Sequence, residues 1–323
     1  EAAAEVKPTV LPSVPRVFEK VHTAVLESFD EATGIKRKLI DWALRVGERV
    51  SAKEQAGESI PAGLKLQHRI ADKLVYSKVK AKLGGRLRLP ISGGAPLSKE
   101  IAEFFHTIDI LICEGYGQTE CTTASNVNMP GRFRFGTVGP AIPGIEVKTA
   151  EDGEVLIRGP NVFGGYYKDE AATREVLDED GWLRTGDVGS IDDGFLTITD
   201  RKKDIIVTAG GKNVSPQNIE NELKASKYVS QALVIGDRRP YLTALITLDE
   251  AAKGLSDPQG LIQEVVDEVN DGKASFEQVK RFVVLERDFT PEHDEVTPTL
   301  KLKRKIVGEH FASEIEALYA QPR

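Results

Sequence analysis

The sequence predicts an α/β layer that carries a small all-β subdomain and is followed by a separate α+β unit. Three changes of texture along the chain support this. Residues 86–91 alternate toward a strand, Ser92-Gly93-Gly94-Ala95-Pro96 makes a glycine turn, and a helix starts near Ser98. Residues 108–113 then form a second apolar run that again ends in glycines; strand, glycine turn and helix in succession is α/β texture. From 137 to 199 the runs shorten and alternate between Asp-Gly turns, which predicts a small barrel or folded sheet. After Asp200 strands and amphipathic helices mix again, and the best cut falls at Asp200-Arg201.

Taken in order, the first ninety residues read mostly as helix. The prolines at 12 and 15 break the chain, and residues 16–29 place Val17, Val21, Val25 and Phe29 at four-residue spacing, one stripe of an amphipathic helix. Leu66, Ile70 and Leu74 repeat that spacing, and both stripes are expected to face the core. Residues 51–63 between them are polar and loop-like. In the β-rich region, strands are expected at 146–148, 154–158 and 195–199, separated by Asp152-Gly153, Gly159-Pro160, Asp180-Gly181 and Asp193-Gly194. Helices follow at 216–226 and 257–270, with strands at 232–235, 241–248 and 281–285. The expected divisions are therefore 1–130, 131–199 and 200–323.

Composition narrows the function. With 40% hydrophobic and 29% charged residues in 323, the chain is long enough for two cores, and disorder, collagen and disulfide scaffolds are excluded. Forty-three Lys plus Arg against 50 Asp plus Glu leave a net charge of −7, which argues against nucleic acid as a partner. Cys113 and Cys121 are the only cysteines, pointing to a reducing, cytoplasmic setting. No apolar run approaches the roughly 20 residues that cross a bilayer; the longest, near 229–248, is interrupted by Asp237, Arg238 and Arg239. The chain starts at Glu1, has its one Met at 129 and shows no signal-peptide pattern, so it reads as a piece of a longer polypeptide.

The segment Glu114-Gly115-Tyr116-Gly117-Gln118-Thr119-Glu120 fails as a dinucleotide fingerprint, because Glu120 stands where the third glycine belongs. Its glycines let backbone amides approach a nucleotide, Tyr116 offers a flat face to a base, Thr119 a hydroxyl to a phosphate, and Glu120 a carboxylate to a divalent metal. On spacing alone, a tight turn with a capped helix explains it equally well. No P-loop exists, since Gly210-Gly211-Lys212 is followed by Asn213. Taken singly, Thr185-Gly186-Asp187, Asp200-Arg201-Lys202-Lys203-Asp204 and Thr297-Pro298-Thr299-Leu300-Lys301 are each turns or charged surface.

Together and in this order, with Gly93-Gly94-Ala95-Pro96, Gly153-Glu154, Gly164-Gly165-Tyr166-Tyr167 and Gly181-Trp182-Leu183-Arg184, these motifs resemble the adenylate-forming superfamily of acyl-CoA synthetases, luciferases and adenylation domains. Residues 11–21 and 202–216 are similar to its bacterial long-chain fatty-acyl-CoA synthetases. The resemblance implies the C-terminal part of the large adenylate-forming domain, an α/β layer with a small β-barrel-like subdomain, followed by a small mobile α+β C-terminal domain. It implies a ligase that uses ATP, Mg²⁺ and coenzyme A to convert a long-chain fatty acid to acyl-adenylate and then to acyl-CoA.

By the same resemblance, Gly94, Ala95, Pro96, Glu114, Gly115, Tyr116 and Gly117 surround the nucleotide, Thr119 meets the α-phosphate, and Asp187 with Arg201 meets the ribose. A carboxylate can accept from both ribose hydroxyls. Glu120 is the metal ligand, Lys301 the catalytic lysine, Lys203 the hinge, and Gly211 with Lys212 the coenzyme A passage. The cysteines are packing residues, the five histidines show no ligand spacing, His106 is a candidate border of the acyl site, and Trp182 is a packed aromatic. The family's Ser/Thr/Gly-rich phosphate loop is not in the 323 residues, so this chain by itself is expected not to form acyl-adenylate. Other readings are a ligase of the same fold for aryl, medium-chain or amino acids, one that stops at the adenylate, and a noncatalytic nucleotide-binding or interaction module. The expected location is cytoplasmic with peripheral contact at the inner face of the membrane.

Overall fold

A computed structural model describes residues 2–252, 254–297 and 301–320. The chain forms two compact units: Glu1–Thr185 with Gly189–Ile198, and Gly186–Val188 with Thr199–Arg323. Each has its own apolar core.

In the first unit a short helix, α1 (Ala2–Val6), precedes strand β1 (Val10–Ser13). The proline-rich segment therefore pairs as a strand, parallel to β2 (Leu89–Ser92), where its Pro12 sits on the sheet edge that tolerates a missing amide donor. Helices α2 (Pro15–Asp30), α3 (Gly34–Gln55), α4 (Ala62–Ala71) and α5 (Ser77–Lys82) follow, the last two joined by a π-helical turn at Asp72–Tyr76. Next come α6 (Lys99–Thr107), capped by Ser98, then β3 (Cys113–Tyr116) and β4 (Asn126–Val127). The sheet order is β1-β2-β3-β4, parallel up to β3 and antiparallel at β4.

Four expectations are corrected here. Leu66, Ile70 and Leu74 are exposed, at 60%, 43% and 38%, while Leu64, Ala71, Val75 and Tyr76 are buried. Two stripes compete on this helix, and the small Ala71 and the π-helical turn favour the one that four-residue spacing passes over. Val17 is exposed as well, because α2 buries Phe18, His22, Val25 and Phe29. The polar stretch from 51 is helical as far as Gln55. The run 108–113 is buried but extended only from Cys113, so the strand itself carries Glu114 to Tyr116. At Gly47 a Cβ would lie 1.9 Å from the Thr107 carbonyl, so α3 and α6 pack backbone to backbone.

Strands β5 (Glu146–Thr149), β6 (Glu154–Arg158), β7 (Leu183–Asp192) and β8 (Phe195–Arg201) form a second four-stranded sheet in that order. Val155, Ile157, Leu183 and Leu196 make its core, and one helix, α7 (Glu170–Val176), interrupts the β texture. Trp182 is 8% exposed under Lys148 and Arg158, a packed aromatic.

The second unit begins with the hairpin β9 (Ile206–Val207) and β10 (Asn213–Val214), then α8 (Pro216–Ala225). A three-stranded sheet follows from β11 (Val229–Ile235), β12 (Leu242–Leu248) and β13 (Val279–Leu285), antiparallel between the first two and parallel between the last two. The parallel pair needs a crossover, supplied by α9 (Pro258–Asn270). Alternation sends Ala232, Val234, Ala244 and Ile246 to the α8 and α9 side, and Leu233 and Leu245 to a second cluster with Val307, Phe311 and Ile315. Those last residues belong to α10 (Arg304–His310) and α11 (Ala312–Ala320), two helices that the sequence reading does not contain.

Candidate active site

In the first unit, β2 and β3 run parallel with Ile91 opposite Cys113 and Ser92 opposite Glu114, so both glycine turns leave the same edge of the sheet. The Glu114 carboxylate ties them together by accepting from the Leu97 amide at 3.0 Å, just beyond Gly94, Ala95 and Pro96. It is 7% exposed, and burial pushes its carboxyl up to about 8, with the Leu97 amide pulling the other way. Burial therefore favours the protonated form of Glu114.

Gly94 is exposed at a φ of +82°, a turn that favours glycine. Tyr116 is half-buried and packs against the cluster of Cys121, Val138 and Leu183. At Gly117 a Cβ would lie 1.9 Å from the Thr123 carbonyl, so the backbone closes on itself there. The expected helix after Glu120 is a single 3-10 turn, Thr119–Cys121, fixed by the Cys121 thiol accepting from the Gln118 amide. Gln118 reaches further, donating from Nε2 to the Thr185 carbonyl at 2.9 Å.

Thr119 is exposed, and Glu120 is partly exposed with its Oε1 accepting from the Tyr166 hydroxyl at 3.0 Å. The Glu120 carbonyl also takes the Phe163 amide. The Gly164-Gly165-Tyr166 motif thus packs on the Glu120 turn, a role for Tyr166 that sequence reasoning missed although the motif was visible. His106 packs between Phe133 and Phe135, 2.7 Å from Ser51 and 3.2 Å from Glu54, and burial lowers its imidazole to about 4. That is a core position, and its ring is neutral.

The second unit gathers the other group. Asp187 is 5% exposed and pairs with Arg201 Nε at 2.9 Å. Lys202 anchors the same strand by donating its amide to the Gly186 carbonyl. Asp200, almost wholly buried, accepts from the Ser215 hydroxyl and the Gln217 amide and so holds the start of α8. Lys203 follows on the exposed turn.

Lys301 is exposed overall, yet its ammonium is held below the ordinary lysine range, by desolvation first and by Arg201 and Lys203; Asp187 and Asp204 oppose this. The fold thus brings Lys301 into the field of Asp187, Arg201 and Lys203. Pro298, Thr299 and Leu300 of the terminal motif lie outside the described residues.

The segment that carries Lys301 is braced at its base. Val296 bridges Leu302, Thr297 donates its amide to the Lys301 carbonyl, and Lys303 donates to the Glu295 carbonyl. Glu295 is fully buried and takes both Arg287 nitrogens at 2.6 and 2.7 Å, with His310 Nδ1 at 2.9 Å. Burial raises the Glu295 carboxyl, but Arg287, His310 and the Thr290 amide outweigh it and bring it down to about 2.

Gly211 sits at the tip of the β9-β10 hairpin with φ +72° and nothing within 4 Å of a Cβ. Backbone conformation, not crowding, is what this hairpin asks of a glycine there. Lys212, beside it, is exposed and stacks over Phe276.

Comparison with known proteins follows this division. Residues 1–167 match the family described as AMP-binding enzyme, and residues 203–323 its C-terminal domain. A long-chain-fatty-acid–CoA ligase of Mycobacterium tuberculosis, FadD15, is 42% identical over 97% of this chain and 55% of the relative. Long-chain-fatty-acid–CoA ligase 6 of Rattus norvegicus is 34% identical over 97% of this chain and 48% of that one. Among solved structures, the adenylation domain of a carboxylate reductase from Mycobacterium chelonae superposes with a TM-score of 0.75 at 27% identity, covering 99% of this chain and 48% of its own. The chain spans about half the length of the curated relatives it matches.

Proposed function

The chain belongs to the AMP-binding enzyme family, and from that premise we propose that the protein works as an AMP-forming long-chain fatty acid–CoA ligase. The observation that carries this is the Asp187–Arg201 ion pair of the second unit, whose field reaches Lys301, on a chain 42% identical to a ligase of that name. In the proposed reaction the fatty carboxylate attacks the α-phosphorus of ATP and expels pyrophosphate. Coenzyme A thiol then attacks the acyl-adenylate carbonyl and expels AMP.

Each group has a use in this scheme. Asp187, oriented by Arg201, accepts from the ribose hydroxyls. Thr119 donates to the α-phosphate, while the Gly94 to Pro96 turn and Gly115 to Gly117 leave room at the edge of β2 and β3 for the adenine. Lys301 neutralises charge that accumulates on the phosphoryl oxygens, and Lys203 marks the hinge that lets a thiol take its place, with Gly211 and Lys212 along the thiol's path. A location in the cytoplasm with peripheral membrane contact suits a substrate drawn from lipid; among the described residues no helix is long and apolar enough to cross a membrane.

Mg²⁺ suits Glu120. Among the described residues no three acidic, His or Cys side chains gather to hold a metal unaided, but Mg²⁺ is commonly held by one or two carboxylates with waters and substrate phosphates. Glu120 offers one such oxygen, next to the Tyr166 hydroxyl that fixes it. When bound, the ion supplies charge neutralisation on the phosphates.

The test is thioester formation by the full-length protein from ATP, coenzyme A and palmitate, against benzoate and octanoate. Product that needs coenzyme A and favours palmitate supports the proposal, whereas adenylate without thioester, or a preference for benzoate, overturns it. In the same assay Lys301→Ala is predicted to slow adenylate formation by roughly 10²–10³-fold and to spare thioester formation from supplied acyl-adenylate.

A further inference from the structure

The continuous helix from α4 through the π-helical turn to α5 has a surface that the adenylation chemistry leaves unused. Residues 62–82 contain Lys65, Arg69, Lys73, Lys78, Lys80 and Lys82 against the single acid Asp72, in a chain whose overall charge is −7. Lys80 is the one that pairs with Asp72, and it also meets Asp109. Lys65, Arg69, Lys73 and Lys78 point into solvent. Leu66, Ile70 and Leu74, at 60%, 43% and 38% exposure, form an apolar stripe on one face of this helix.

The stripe leads into a cavity of about 210 Å³ between this helix, α2 and α3. Its floor is Val25, Phe29, Leu39 and Val79, and Lys36, Lys78 and Lys82 stand at its rim. Ile35, 87% exposed, projects beside Lys36.

We propose that this face docks the protein onto an anionic lipid bilayer, with Leu66, Ile70 and Leu74 entering the interface, the lysines on the headgroups and an acyl chain in the cavity. A helix with an exposed apolar stripe and a basic flank is the construction that lies in a membrane interface. The charge is what selects this occupant: an anionic bilayer accounts for the lysines and the leucines together, whereas nucleic acid accounts for the lysines alone and a neutral apolar partner for the leucines alone. The inference rests on the peripheral location proposed above and gives it a place on the molecule.

Sedimentation of the full-length protein with phosphatidylglycerol–phosphatidylcholine vesicles and with pure phosphatidylcholine vesicles tests it. Binding is expected on the anionic vesicles, weakening as salt rises. Because each basic residue near such a surface contributes about 1 kcal/mol, the triple variant Lys65→Gln, Arg69→Gln, Lys73→Gln is expected to lose about a hundredfold in partitioning. Leu66→Ser, Ile70→Ser, Leu74→Ser changes only exposed side chains and is expected to lose about tenfold or more, with thioester formation on detergent-dispersed substrate unchanged in both. If both variants bind anionic vesicles like the parent, this face is wrong and the peripheral location stands. If the parent binds no vesicles, both fall; a concentration-dependent dimer in that case assigns the face to a second copy.

Discussion

Two carboxyls shifted in opposite directions show how single residues set the site. Glu114 is raised to about 8 by burial. A raised carboxyl stabilises the fold below its unfolded value and loses that contribution as pH climbs through its folded one, so the first unit should weaken between about pH 5 and pH 8. Urea midpoints across that range check it, and Glu114→Gln, which keeps the shape without the proton, is predicted to flatten the slope. Glu295 is the reverse, held at about 2, and its stabilisation is present above the ordinary carboxyl range and lost toward pH 2.

Replacing a buried charge partner costs about 3–5 kcal/mol when both ions are buried; Arg287 is 38% exposed, so Glu295→Gln is predicted to cost about 1–3 kcal/mol. It should also slow adenylation more than thioester formation, since it braces the Lys301 segment, and an equal loss in both half-reactions would leave it a fold residue only. The motif residues themselves were legible in the sequence, because glycine turns and charged runs are local. Glu295 and Arg287 were not, since they lie outside any motif, and the bond of Tyr166 to Glu120 was not, since it joins two motifs that only the fold brings together.

At the scale of elements, periodicity told helix from strand but not which face is buried. Leu66, Ile70 and Leu74 obey the helical period as well as Leu64, Ala71 and Val75 do, and the packing against α3, helped by the small Ala71 and the π-helical turn, decides between them. The proline-bearing β1 escaped notice for a related reason: an edge strand is defined by its partner β2, not by its own propensity. The close approach of α3 to α6 at Gly47 is likewise invisible in one sequence. Gly47→Ala puts a methyl into the Thr107 carbonyl, and since backbone cannot rotate away, the predicted cost is about 1–3 kcal/mol. Thermal or urea unfolding measures it, and an unchanged midpoint would mean that the two helices separate freely.

For the molecule as a whole, the α/β layer, the β-rich insert and the final α+β unit were anticipated in that order, while α7, α10 and α11 were not: α7 is seven residues long and buries none of them, and α10 and α11 are short helices whose apolar residues pack against a sheet. The 323 residues contain no Ser/Thr/Gly-rich phosphate loop, and we predict that this chain alone gives no measurable exchange of pyrophosphate into ATP, where the full-length protein does. Robust exchange by the chain alone would show that its own residues suffice for the phosphates.

The second unit is discontinuous: it borrows Gly186–Val188 from the middle of β7. Anyone grafting this C-terminal unit onto a related enzyme at a single junction near 199 would leave Asp187 behind with the recipient and bring Arg201 from the donor. The ion pair would then join two parents, and a graft that keeps the donor's pairing must carry the 186–188 tripeptide with it as a second, separate insert.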